Sequence, residues 1–256
     1  MKLALASLWL LIGGAITGAL YWGFLITPVS TILALITSAL LAIVVLAVLG
    51  TVVNGAIDIV SRGFSLAGLR HAFASSAAVI PAGLVVLALW AITNMGEVSV
   101  AQYNGQINAW FIARFGWDDV SWLFTAIRYL AMWLRWVISG LLAVSLMAAV
   151  LNAGWSALAG ASWMSRAIRP RAVAVATLAF VTLIELPWIY LVPWRPESLP
   201  ATAVEMVFIV SKLSLAAILA AVGSALLIRE ASALGPSASV PPSGVSEPQT
   251  NASLQP

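Results

Sequence analysis

From Leu3 to Ile57 the chain carries no Asp, Glu, Lys or Arg, and further charge-free stretches run from His71 to Gly96 and from Trp136 to Ser165. Runs of this length constrain the fold more than any motif does. In hydrocarbon every backbone N–H and C=O must be paired within the protein, so spanning segments are helices or closed barrels. Barrel strands are about ten residues long and alternate in polarity, whereas these runs are longer and apolar on every face. The composition excludes a soluble core: 62% of residues are hydrophobic and 8% charged, with a mean hydropathy of +1.04, against about 25% charged in soluble domains. The expected class is an all-α, polytopic helical membrane protein. It has about six transmembrane helices within residues 1–229, an extracytoplasmic interfacial helix in loop 94–121, and a disordered cytoplasmic tail over 230–256.

Lys2 followed by Leu3–Leu20 reads as an uncleaved first span ending in interfacial Tyr21 and Trp22; a signal peptide cut near Thr17-Gly-Ala19 is the competing reading. Gly14 and Gly18 have the small-xxx-small spacing that lets helices approach closely. After Pro28, Thr31 to Val53 forms the second span, and Asp58 is expected to hydrate at a membrane boundary. Arg62 to Phe73 mixes Arg62, Arg70 and His71 with Phe64, Leu69 and Phe73, as a segment lying in the interface does. His71, the single histidine, is expected to be solvated.

The third span is about 74–93, with Pro81 in its first turns, where a missing N–H costs least. Between Gln106 and Phe115, Ile107, Trp110, Phe111 and Phe115 recur at helical spacing. A hairpin turning at Asn104-Gly105 is the alternative. Residues 120–158 are too long for one simple span. They form either one strongly tilted helix or an interfacial helix to Arg135 followed by a span from Trp136. The fifth and sixth spans are about 172–192 and 202–228, joined by the stiff Arg195-Pro-Glu-Ser-Leu-Pro200. Beyond Ser232 the Pro- and Ser-rich composition cannot bury a core. Val53-Asn-Gly and Leu151-Asn-Ala-Gly, at the ends of spans two and four, hint at an internal repeat.

Six spans put Lys2, Arg62, Arg70, Arg166, Arg169, Arg171 and Arg229 on one side. Glu97, Asp118, Asp119, Glu197 and Glu205 fall on the other, with Arg114 and Arg195 and with Arg128 and Arg135 as further candidates for that side. By the positive-inside rule the first side is cytoplasmic, with both termini on it. The net charge of +3 is thus a topology signal, and no nucleic-acid partner is expected. The expected location is the cytoplasmic (inner) membrane of a bacterium.

No cysteine is present, which removes disulfides, thiolate nucleophiles and Cys-ligated metals. One histidine cannot build a multi-histidine metal site, and no phosphate-binding glycine loop appears. No enzyme activity, cofactor or metal is expected. The conspicuous residues are Glu185 and Lys212, single charges inside the last two spans. A charge at a helix centre costs about 2.5–3.5 kcal/mol. Counted from the outer boundary, Trp194 for one and Ala203 for the other, each lies roughly 13 Å deep, so they are expected to form a buried pair. Arg128 and Arg135, seven residues apart on one helix face among Trp122, Tyr129, Trp133 and Trp136, are candidate anion or lipid-headgroup contacts and rival partners for Glu185. The functional expectation is a non-enzymatic membrane component (complex subunit, assembly factor or scaffold), with a membrane-protein partner or homo-oligomer. The alternative is a small transporter or lipid-handling protein using the Glu185/Lys212 pair.

Overall fold

The computed structural model describes residues 1–27, 30–117, 120–194 and 203–233. Every regular element among them is helical. Six helices are long and apolar enough to cross a membrane: Lys2–Ile26, Ile32–Ser61, Ser76–Gln102, Ser121–Ala153, Pro170–Leu191 and Val204–Ser232. This is the architecture of a multi-pass membrane protein.

Local chemistry sets the helix ends. α1 is Lys2–Ile26 and α2 is Ile32–Ser61, whose N-cap Thr31 accepts from the Ala34 N–H at 3.2 Å. This satisfies one of the orphan donors of the first turn. The short α3, Leu66–Ala74, is capped in the same way by Ser65, which accepts from Gly68 N at 2.9 Å. A 3₁₀ turn over Ser76–Ala78 leads into α4, Val79–Gln102. α5 is Asn104–Phe115 and stops at Gly116 with φ +67, a left-handed cap that glycine adopts without strain. α6, Ser121–Trp133, and α7, Ser139–Ala153, form one continuous rod through a π turn at Leu134–Ile138. α8 is Ser162–Ala167. α9 starts with Pro170 at its first helical position and runs Pro170–Ala179, continued by π-helical turns at Phe180–Glu185 and Pro187–Leu191. α10 is Ala203–Ser232.

The α6–α7 rod is the axis of the molecule. Some 67% of its most apolar stretch is buried, against 22% or less for the other five spans. Val137, Leu141 and Ser145 are sealed completely among α4, α9, α10 and α2. Each surrounding span keeps broad apolar faces outward, the arrangement expected when the solvent is lipid. α1 packs on α2 and α10, and α10 packs on α9, α7 and α2. One face of the bundle gathers the N-terminus and the ends of α2, α7 and α10. There Lys2 Nζ donates to Ser61 O at 2.7 Å and Arg169 Nη1 to Ala233 O at 3.4 Å. α5 lies at the opposite face.

Several expectations change in this frame. The third span does not stop at 93: α4 continues to Gln102, so much of the stretch read as loop 94–121 is helix; within it the helix expected over 106–115 is present as Asn104–Phe115, in place of the alternative hairpin. Residues 121–153 are one span. The helix of the sixth span passes 228 to reach Ser232, so the first residues assigned to the tail are ordered; 234–256 lie outside the described residues, as do Pro28, Asp118, Asp119 and the 195–202 connection. The Gly14 and Gly18 pair meets no neighbour, since a Cβ added at either has nothing within 4 Å. The close approach is made one residue earlier, where a Cβ on Gly13 would come 2.5 Å from Val52 Cγ2.

Candidate functional site

The intramembrane charges do not pair as the depth count implied. Lys212 Nζ donates to Val192 O at 2.8 Å and Trp194 O at 2.6 Å, and stands 4.9 Å from the Phe208 ring centroid. These carbonyls close span five and lack helical donors of their own, so an ammonium group with three donors caps them. Further down, a Cβ on Gly223 would meet Leu183 and Ile184 at 3.2 and 3.3 Å. The two contacts fix an antiparallel register in which Glu185 is level with Ala220 and Ala221. Eight or nine residues then separate its level from that of Lys212, about 12 Å. The count failed because α10 begins well beyond Trp194: Lys212, not Ala203, is level with the end of span five. Glu185 is half-buried and makes no hydrogen bond or ion pair among the described residues. It sits in the π turn ahead of Pro187, whose missing N–H leaves the Leu183 carbonyl without its usual donor.

Arg135 finds its partner on α4. Its Nη2 reaches Glu97 Oε2 at 2.5 Å, its Nε donates to Thr93 Oγ1 at 2.8 Å, and its guanidinium lies 5.3 Å from the centroid of Trp90. The side chains are 14% and 26% exposed. Trp90, Thr93 and Glu97 fall at i, i+3 and i+7, one face of α4, so a single helix offers a ring face, a hydroxyl and a carboxylate to one cation. The π turn begins one residue before Arg135. Ser139 Oγ donates to the Arg135 carbonyl, a hydroxyl competing with the helical N–H, which disturbs the regular ladder. Reading Arg135 as a rival partner for Glu185 is therefore corrected. Glu97 escaped notice because it was assigned to a loop, although its spacing from Trp90 and Thr93 carried the signal.

Arg128 lies on the same face of the rod, two turns nearer α5. It is exposed and has no hydrogen bond or ion pair among the described residues. It borders an open pocket of about 270 Å³ with Glu97 and Asn104, between apolar walls that include Val100, Phe124 and Ile127. Of the expected site residues, Arg128 lines this pocket, Arg135 meets it only through its ion pair with Glu97, and Glu185 and Lys212 stand apart from one another.

At the opposite face, Asp58 is not hydrated as expected but 3% exposed. Arg62 bridges it at 3.3 Å and also donates to Asn152 Oδ1 at 3.0 Å. Gly68 permits the burial, because a Cβ there would collide with Asp58 Oδ2. His71, though exposed, is not merely solvated: its Nε2 lies 2.8 Å from Leu151 O. Asn54, fully buried, donates to Ser75 O at 2.9 Å. This network ties the end of span two to the end of span four. Among the described residues no group of three or more His, Asp or Glu side chains is placed to hold a metal ion.

Compared with known families, characterised proteins and solved structures, the chain matches none.

Proposed function

We propose that the protein is a non-enzymatic component of a bacterial cytoplasmic membrane, a subunit or scaffold whose docking surface is the α5 face, turned outward. The observation that carries this reading is α5 itself. No residue of the helix is buried, yet its rings form one cluster. Trp110 packs edge-on against Phe111 and Phe115 at 5.0 and 5.6 Å, Phe111 stacks on Trp117 at 5.2 Å, and Trp117 reaches Trp122 at 5.7 Å. Trp110 and Phe115 remain 57% and 53% exposed. Clustered aromatics are the commonest anchors of protein interfaces and also favour headgroup depth, so α5 is built to meet something outside its own chain. The outward orientation follows from the concentration of Arg and Lys at the face of the N-terminus.

Solubilised from its own membrane in mild detergent, the protein should travel with a second protein or a second copy of itself. Trp110→Ser, Phe111→Ser and Phe115→Ser together should release that partner while leaving the bundle folded. A wild-type chain that always runs as a bare monomer overturns the reading. The transport reading that used Glu185 and Lys212 as a coupled pair loses its motive, because Lys212 is engaged by Val192 and Trp194.

A further inference from the structure

We infer that the pocket between α4 and α6 is a binding site for a zwitterionic phospholipid headgroup, with the phosphate on Arg128 and a primary ammonium group on Glu97. Charge supplies the first argument. Arg135 and Glu97 neutralise one another through Nη2 and Oε2, but Glu97 also borders the pocket and keeps 26% of its side chain open. Arg128 borders the same pocket with no partner of its own among the described residues. The pocket therefore carries a free guanidinium at one edge and an accessible carboxylate at another, with Asn104 able to donate or accept between them. Guanidinium groups bind phosphate oxygens in bidentate fashion, and a primary ammonium donates three hydrogen bonds to acceptors such as carboxylate oxygens.

Depth supplies the second argument. Arg128 lies two turns from Arg135 toward α5, about 10 Å along the rod, and Trp122 and Tyr129 on the same helix are 55% and 61% exposed. Exposed Trp and Tyr gather at headgroup depth, the layer that holds lipid phosphates. Val100, Phe124 and Ile127 give the pocket apolar walls, suited to the glycerol and first methylenes of a lipid and ill suited to a free, fully hydrated anion.

The test is native mass spectrometry of the detergent-purified chain offered phosphatidylethanolamine, phosphatidylglycerol or phosphatidylcholine at equal concentration. One ethanolamine lipid should be retained about tenfold better than either competitor, the glycerol lipid lacking the ammonium group and the choline lipid lacking its donors. Arg128→Gln should lower retention about tenfold with an unchanged melting temperature, while Arg114→Gln on α5 should retain lipid like wild type. Equal retention by Arg128→Gln, or preference for the glycerol or choline lipid, overturns the site. A third arm adds inorganic phosphate: if phosphate displaces the lipid and raises the melting temperature on its own, the pocket is a free-anion site and the lipid assignment is wrong.

Discussion

A methyl group is the smallest probe of how closely these helices meet. At Gly50 it would run into the backbone carbonyl of Ser76, and at Gly68 into Asp58 Oδ2 and Ser65 Oγ. A carbonyl in a tight turn cannot step aside as a flexible side-chain end does, so Gly50→Ala should cost about 2 kcal/mol or more. Gly14→Ala and Gly18→Ala, which meet nothing, should stay within about 0.5 kcal/mol of wild type. Thermal melts in one detergent compare all three. Gly14 and Gly18 line an open apolar groove between α1, α2 and α10, with Val45, Leu49 and Ala220, and a Gly14→Ala loss as large as that of Gly50→Ala would mean that a second copy fills it. At this scale the sequence gives a pattern without its neighbours. The glycine spacing at 14 and 18 is plain, yet the close approaches fall elsewhere, among them Gly13 against Val52 and Gly50 against Ser76. The burial of Asp58 was hidden likewise, because α3 covers it by folding back.

Among elements, two of the three π turns of the described residues hold a charge inside a span, while Lys212 lies in the regular helix α10. Arg135 sits in one and Glu185 in another, and such turns recur at functional sites. The two charges have different energetic standing. Arg135 is held by three side chains of α4, and removing one member of a mostly buried pair strands the other. We expect Arg135→Gln and Glu97→Gln each to cost about 2–3 kcal/mol, the double variant costing about 2 kcal/mol less than their sum. Melts of the four chains measure the coupling, and strict additivity would show that the pair contributes nothing. For Glu185 and Lys212 the expectation is reversed. Lys212→Met should cost about 1–3 kcal/mol through the lost caps on Val192 and Trp194, and combining it with Glu185→Gln should be additive within about 0.5 kcal/mol. Coupling well above that would restore the pair that depth counting proposed.

For the whole molecule, the number of spans and their order could be read from the sequence because hydrocarbon thickness sets the length of an apolar run. The register between spans could not, because helices continue past the bilayer without any change in hydropathy that marks the boundary. α4 hides Glu97 in such an extension and α10 hides the true level of Lys212. Orientation rests on the cations. Lys2, Arg62, Arg70, Arg166, Arg169, Arg171 and Arg229 belong to the face of the N-terminus, while Arg135, on the other side, is neutralised by Glu97 and adds nothing to the contest. The absence of cysteine makes the test clean, since any introduced thiol is unique. Ala113→Cys on exposed α5 should react with a membrane-impermeant maleimide in intact cells. Ser162→Cys, exposed at the start of α8, should react only after permeabilisation. The reverse pattern would invert the topology and place the aromatic helix and the Arg128 pocket in the cytoplasm. Labelling of both sites in intact cells would mean that α5 and α8 do not lie on opposite sides of the membrane.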